Sequence, residues 1–263
     1  MPYTISRTSE DRHHLVMKHA HKDSQPPIKV YLDTIGCRLN QSEIESYAAQ
    51  FRAAGHQVVA RMEDADLMVL NTCTVTAAAA SDSRQKVRQA ARAGVEQIVV
   101  TGCWSTINPK GAARLPNVTR VVPNQDKDQL VGDLLGIEQF DLEPLARQPL
   151  PGTRMRTRAF IKVQDGCDNR CTFCITTVAR GQGRSYSLEQ VLAEVGGALA
   201  GGAQEIVLTG VHLGSWGQDF DKPQHLRHLV EGILEQTDVP RLRLSSLEPW
   251  DLDERFFELW KDP

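Results

Sequence analysis

The chain has 263 residues, 41% hydrophobic and 24% charged, with a formal net charge of −3. That length holds one large domain or two ordinary ones, and the mildly acidic total argues against a general nucleic-acid binder. No run reaches the roughly 18 apolar residues of a membrane helix, and the polar first 27 residues lack the apolar core of a signal peptide, so the chain is read as cytoplasmic and away from membranes; a monomer is expected.

Residues 1–27 show no sustained period, and His13, His14, His19 and His21 are scattered. A disordered or loosely ordered extension is expected there, with a metal-binding tail as the alternative. From Ile28 apolar runs alternate with helical stretches. Strands are expected at 28–35, 57–62, 67–70, 97–100 and 118–122. Helices are expected at 41–54, 76–93, just after Asn108-Pro109, and at 125–135. This alternation predicts an α/β, doubly wound parallel-sheet domain over residues 28–137. Residues 138–153 read as a linker.

A second alternation follows in residues 154–263. Strands are expected at 160–164, 205–208 and 241–245, and helices at 187–200, 225–235 and 251–260. Ser187 with Gln190 three residues on has the form of a capping box, and Gly201-Gly202 is a natural helix stop. These are the first three βα units of a partial barrel, so the chain is expected to stop inside that domain.

Charge is uneven. Residues 154–184 hold seven basic and two acidic side chains, whereas 185–263 hold six basic and fourteen acidic. The basic stretch could meet phosphate, or it could be a solvated face. Trp104, Trp216, Trp250 and Trp260 read as core or rim rather than as base-stacking platforms.

Six cysteines in a reducing compartment are not a disulfide framework. They fall into two triplets. Cys167, Cys171 and Cys174 have the spacing C-x3-C-x2-C just past a strand. Three thiolates on one short loop can each bind one iron of a cluster and leave the fourth iron open. Zinc competes, but structural zinc wants four closed ligands, and no fourth Cys or His follows closely.

Cys37, Cys73 and Cys103 are far apart in sequence, yet each follows the end of an apolar run. In a parallel sheet such positions share the carboxyl-end edge, where these folds bind ligands. The competing reading is three buried structural cysteines.

The loop Cys167–Cys174, with Phe173 before its third cysteine, resembles the signature of the radical S-adenosylmethionine (SAM) superfamily. Gly36-Cys37-Arg38-Leu39-Asn40-Gln41-Ser42-Glu43, Asn71-Thr72-Cys73-Thr74-Val75-Thr76 and Thr101-Gly102-Cys103 resemble the amino-terminal domain of the methylthiotransferases within it. With Ala179-Arg180-Gly181, the resemblance covers about residues 28–263 and is nearest the tRNA threonylcarbamoyladenosine branch. Thr177-Val178 departs from the family's usual Pro and aromatic.

The resemblance implies two [4Fe–4S] clusters and SAM as cofactors, with Cys37, Cys73, Cys103, Cys167, Cys171 and Cys174 as metal ligands. Phe173, Thr209, Gly210 and Ser245 become candidates for SAM binding, with Ser246 a weaker one. The implied reaction replaces C2–H of an adenosine beside the anticodon by a methylthio group. That hydrogen is not acidic enough for a side-chain base, so a radical is chemically reasonable. The implied partners are a tRNA anticodon loop, whose base is single-stranded and can be splayed out, a flavodoxin- or ferredoxin-like electron donor, and a sulfur donor. Isopentenylated tRNA adenosine and a ribosomal protein are the alternative substrates, and a non-enzymatic metal-binding module is the second alternative. Family members continue through the rest of the barrel into a small RNA-binding β-barrel, neither of which is expected within this sequence.

Overall fold

The computed structural model describes residues 26–138, 148, 150–151, 157–245, 247–252 and 254–260. Nearly all of the amino-terminal extension, most of the 138–153 linker, Arg154, Arg156 and Ser246 lie outside the described residues.

The first unit runs β1 (Lys29–Thr34), α1 (Arg38–Ala53), β2 (Gln57–Val59), β3 (Leu67–Thr72), α2 (Ala77–Arg92), β4 (Gln97–Gly102), α3 (Cys103–Ile107), α4 (Pro109–Ala113), β5 (Val118–Val121) and α5 (Leu130–Leu135). Its five strands pair in the order β2-β1-β3-β4-β5, and every pairing is parallel. Order reverses between β1 and β3, the switch point of a doubly wound sheet.

Strand β3 shows why both faces are covered, since all six of its residues are buried. Leu67 and Val69 face a cluster with Ile44, Tyr47 and Phe51 of α1 and with Leu130 and Val131 of α5. Met68 and Leu70 face the opposite cluster, with Val87 and Ala90 of α2 and Trp104 of α3. A continuous apolar run is what a strand buried on two faces requires.

The second unit runs β6 (Arg158–Lys162), β7 (Gln164–Asp165), α6 (Thr176–Arg180), β8 (Arg184–Ser185), α7 (Leu188–Ala200), β9 (Glu205–Thr209), α8 (Leu226–Gln236) and β10 (Leu242–Leu244). Strands β10-β9-β6 form a parallel sheet, while β7 and β8 form a short antiparallel ribbon. Helices α7 and α8 cover one face through Val191, Val195, Leu229 and Ile233, against Ile161, Ile206 and Leu208. The capping box at Ser187 is formed: its Oγ accepts from Gln190 N at 3.2 Å, and Gln190 Oε1 accepts from Ser187 N at 2.9 Å. The chain is thus α/β throughout, a parallel-sheet unit followed by three strands of a barrel wall.

The two units pack on each other. Strand β6 is an edge of its sheet, and α1 of the first unit covers it. Ser42 Oγ accepts from Lys162 N at 3.0 Å, and the Arg38 guanidinium lies 6.0 Å from the Phe160 ring centroid. An edge strand's unpaired amides need such a partner.

Four expectations are corrected. Helix α1 starts at Arg38, three residues before the predicted start, with Cys37 as its N-cap residue; Leu39 and Asn40 are buried there and extend the packed face. The helix expected at 125–135 opens instead with a 3-10 turn at Lys127–Gln129, where Lys127 is wholly buried and paired with Glu43 and Asp165, and α5 begins only at Leu130. The helix expected at 251–260 is instead two 3-10 segments, Pro249–Asp251 and Glu254–Trp260. There Phe256 is buried while Phe257 and Trp250 are exposed, so no apolar stripe at helical spacing is covered. Trp104 and Trp216 are core residues, but Trp250 is 75% exposed.

Candidate functional site

The switch point of the first sheet places three cysteines around one cavity. Cys37 caps α1 after β1, Cys73 follows β3, and Cys103 is the first residue of α3 after β4. All three line a cavity of about 530 Å³. Cys73 and Cys103 are buried, and Cys37 is exposed toward the opening. Gly36 makes the convergence possible. Its φ is +115°, and a β-carbon there would lie 2.7 Å from Cys73 Cβ and 2.8 Å from its Sγ, so only glycine lets these loops meet.

The second unit supplies the other wall. Thr209 and Gly210 at the end of β9, Ser245 after β10, and Ile175, Thr176, Ala179 and Arg180 beside the second triplet line the same cavity. Gly210, Val211 and the turn beyond are fixed by Gln164. This side chain is 1% exposed, its Oε1 accepts from Val211 N and His212 N at 2.9 Å each, and its Nε2 donates to Asp165 O and Gly166 O. Gln164 therefore ties the turn after β9 to the loop that opens at Cys167.

The second triplet does not itself line this cavity, though Ile175 and Thr176 directly after it do. Cys171 and Cys174 are exposed, and Cys167 is half-buried. Cys174 N donates to Cys171 O at 3.1 Å and Cys167 N to Gly181 O at 3.1 Å. Thr177 Oγ1 donates to both Cys167 O and Asn169 O at 3.1 Å, so the departure from Pro at this position is filled by a hydroxyl that pins the loop. Gly166, with φ +69°, passes so close to Gln182 O that a β-carbon would lie 1.9 Å away. Phe173 is 92% exposed and does not line the cavity.

Thiol acidity differs across the site. Burial pushes the Cys103 thiol up, partly offset by Arg180, by the Asn124 amide and by Lys127. Burial likewise raises Cys167, and Cys174 and Asp168 add to it. Hydrogen bonds with Thr176, whose Oγ1 is 3.1 Å away, hold Cys174 below the usual thiol range.

Between the triplets lies a buried ionic cluster. Lys127 Nζ sits 2.6 Å from Glu43 Oε1 and 2.7 Å from Asp165 Oδ2, all with side chains at most 1% exposed. Arg180 Nη1 is 2.8 Å from Asp165 Oδ1 and 3.3 Å from Glu43 Oε1. Lys162 Nζ reaches Asp128 at 2.6 Å and Glu43 at 3.4 Å. Burial alone would raise the Glu43 carboxyl, but Lys127, Lys162 and Arg180 together hold it down at about 2. The same cations outweigh burial at Asp165 and keep it well below the carboxylate range.

This cluster takes three members of the basic stretch out of both readings. Lys162, Arg180 and Arg184 point to the internal carboxylates of Glu43 and Asp165, while Arg158, its side chain 44% exposed, pairs with Glu205. Arg170 is exposed. The roles of Glu43, Lys127 and Asp165 were not legible in the sequence, because partners 84, 38 and 137 positions apart (Lys127–Glu43, Lys127–Asp165 and Arg180–Glu43) carry no local pattern.

The donor set suits a cluster better than a single ion. Among the described residues, no three His, Cys, Asp or Glu side chains stand at the spacing of one ion's ligands. The ligands of an iron–sulfur cluster bind different irons and are spread around it, as three thiols around one cavity are.

Comparison with known proteins agrees with this layout. Residues 29–123 match the family described as uncharacterized protein family UPF0004, and residues 161–250 match the radical SAM superfamily. The threonylcarbamoyladenosine tRNA methylthiotransferase MtaB of Aquifex aeolicus is 35% identical over 248 residues, spanning 88% of this chain and 59% of that protein. The protein of the same name from Bacillus subtilis is 34% identical, over 88% of this chain and 54% of its own. The chain thus spans about half the length of the curated relatives it matches. Among solved structures, the radical SAM methyltransferase TsrM of Kitasatospora setae, with cobalamin and a [4Fe–4S] cluster bound, superposes with a TM-score of 0.58 at 15% identity, over 89% of this chain and 58% of that one. That likeness is one of fold.

Proposed function

We propose, for a chain whose residues 161–250 match the radical SAM superfamily and whose residues 29–123 match UPF0004, the work of a tRNA methylthiotransferase acting on N6-threonylcarbamoyladenosine beside the anticodon. The observation that carries this reading is the shared cavity. Cys37, Cys73 and Cys103 open onto the same space as Thr209, Gly210 and Ser245, so a group held by the first triplet faces whatever the barrel edge binds. The names of the relatives support the substrate.

In this reading Cys37, Cys73 and Cys103 hold one [4Fe–4S] cluster, Cys167, Cys171 and Cys174 hold the other, and Thr209, Gly210 and Ser245 lie against SAM. When bound, these cofactors supply radical generation, the sulfur and the methyl group. The chain's own residues do the positioning. Gln164 fixes the turn at Gly210–His212 relative to the Cys167 loop. Thr177 fixes the loop itself. Val75, Ile175 and Val178, exposed at 74%, 42% and 72%, give the surroundings of the cavity an apolar surface from which a seated base would displace water. A flavodoxin- or ferredoxin-like protein would deliver electrons at the exposed triplet, and a separate donor would replenish sulfur. Residues 28–137 and 154–263 would be the two domains. Among the described residues no helix is long and apolar enough to cross a membrane.

The test is anaerobic reconstitution with iron and sulfide counted per chain, followed by nucleoside analysis of tRNA treated with the loaded protein. Changing Cys167, Cys171 and Cys174 to Ala is expected to remove about half the iron and all SAM cleavage, as two separate three-thiolate sites require. Changing Cys37, Cys73 and Cys103 to Ala is expected to leave SAM cleavage and abolish methylthio-adenosine. A product on isopentenylated adenosine or on a ribosomal protein instead would move the substrate within the family, and zinc without sulfide would overturn the reading.

A further inference from the structure

The cysteines of the first triplet stand on loops of the first sheet, but the bonds that shape those loops end on the second unit. Arg180, at the end of α6, has a side chain only 4% exposed. Its Nη2 donates to Asn40 Oδ1 at 2.6 Å, and its Nη1 donates to Asp165 Oδ1 at 2.8 Å. Asn40 in turn donates through Nδ2 to Ile35 O at 2.8 Å and Thr72 O at 3.2 Å. Those carbonyls lie two residues before Cys37 and directly before Cys73. Asn40 Oδ1 is also 3.7 Å from Cys37 Sγ.

The neighbouring residue reaches the third cysteine. Ala179 O accepts from Asn124 Nδ2 at 2.6 Å, and the same amide nitrogen lies 3.6 Å from Cys103 Sγ. Ala179-Arg180 therefore contacts the settings of Cys37, Cys73 and Cys103 through one amide side chain each. The guanidinium also determines how Asn40 points. With its oxygen toward Arg180, its nitrogen faces the two carbonyls; flipped, it would set donor against donor at Arg180 and acceptor against acceptor at the carbonyls.

We infer that Arg180 is a positioning residue of the first cysteine triplet, supplied by the radical SAM segment, so that this site is complete only while the two units are docked. Glu43 of the first unit and Asp165 of the second hold the guanidinium in place, and Lys127 in turn pairs with both carboxylates. The planar fork of Arg180 reaches Asp165 and Asn40 from two separate nitrogens, a fixed geometry that the single nitrogen of a lysine does not reproduce. A buried cation against the cavity wall also favours the anionic thiolates and cluster that the proposed function places there. The inference rests on that reading of the triplet.

The experiment isolates each site. A chain with Cys167, Cys171 and Cys174 changed to Ala is loaded anaerobically with iron and sulfide. It is then compared as Arg180, Arg180→Lys and Arg180→Gln for iron retained against a chelator and for the electron paramagnetic resonance spectrum of the reduced protein. Arg180→Gln is expected to lower retention roughly tenfold, the scale of outer-shell effects on metal sites. Arg180→Lys, which keeps the charge and the fold, is expected to shift the resonance positions. In the mirror chain, with Cys37, Cys73 and Cys103 changed to Ala, Arg180→Lys is expected to leave iron and spectrum unaltered. If Arg180→Gln unfolds, Arg180→Lys decides. An unchanged first-site spectrum in Arg180→Lys, or equal disturbance of both sites, overturns the inference alone. Failure of the first triplet to take up iron with Arg180 in place overturns the proposed function and this inference with it.

Discussion

Ser42 Oγ accepts the amide hydrogen of Lys162 at 3.0 Å, joining helix α1 of the first unit to the edge strand β6 of the second. Ser42 is 1% exposed, so no solvent stands ready to replace it. Ser42→Ala leaves that amide unpaired with almost no change in volume. The expected cost is about 1–3 kcal/mol, read as a lower urea midpoint. A midpoint equal to that of the unsubstituted chain would show that this contact does not hold the units together.

Gln164 satisfies two amides and two carbonyls with one buried side chain. Gln164→Leu fills the same space and pairs none of them. The turn at Gly210–His212 should then loosen, and SAM should bind about tenfold more weakly, equivalent to one lost net hydrogen bond. Calorimetric titration of the loaded protein measures this. Iron uptake attributable to the proposed site at Cys37, Cys73 and Cys103 should not change.

At Gly36 both the backbone and the space forbid a side chain. A β-carbon would meet Cys73 at under 3 Å, and φ is +115°. Gly36→Ala should therefore cost about 1–3 kcal/mol in backbone strain and push Cys73 off its position. The measurable result is a folded protein whose iron content falls at the first triplet only. Full iron content would mean that the two loops tolerate separation.

The carboxyl of Glu43 is held at about 2 by Lys127, Lys162 and Arg180 against the cost of its burial. A depressed folded-state value stabilises at pH above the unfolded value of 4.5, and that contribution is lost as pH falls toward 2. Stability contributed by the buried cluster should be level from neutral pH to about pH 5, then fall by a few kcal/mol. Glu43→Gln should flatten this acid limb. Thermal melts across that range give the comparison, and an equally steep acid limb in Glu43→Gln would place the titration elsewhere.

Much of the molecule was decided by local pattern. The apolar run at Leu67–Leu70, the Ser187–Gln190 cap and the glycine stop after α7 are local properties of the chain, and the structure forms each of them. The cysteine spacing Cys167–Cys171–Cys174 is local too. Even the convergence of Cys37, Cys73 and Cys103 could be reasoned from sequence, because strand ends in a parallel sheet share one edge. What only the tertiary structure decided is the polar interior between the units. Arg180 within a basic stretch and Glu43 within an ordinary helix look like surface charges one residue at a time. They are buried because Lys127 and Asp165, brought from distant positions, offset the cost of removing each charge from water. That compensation depends on positions in space, and no spacing along the chain encodes it.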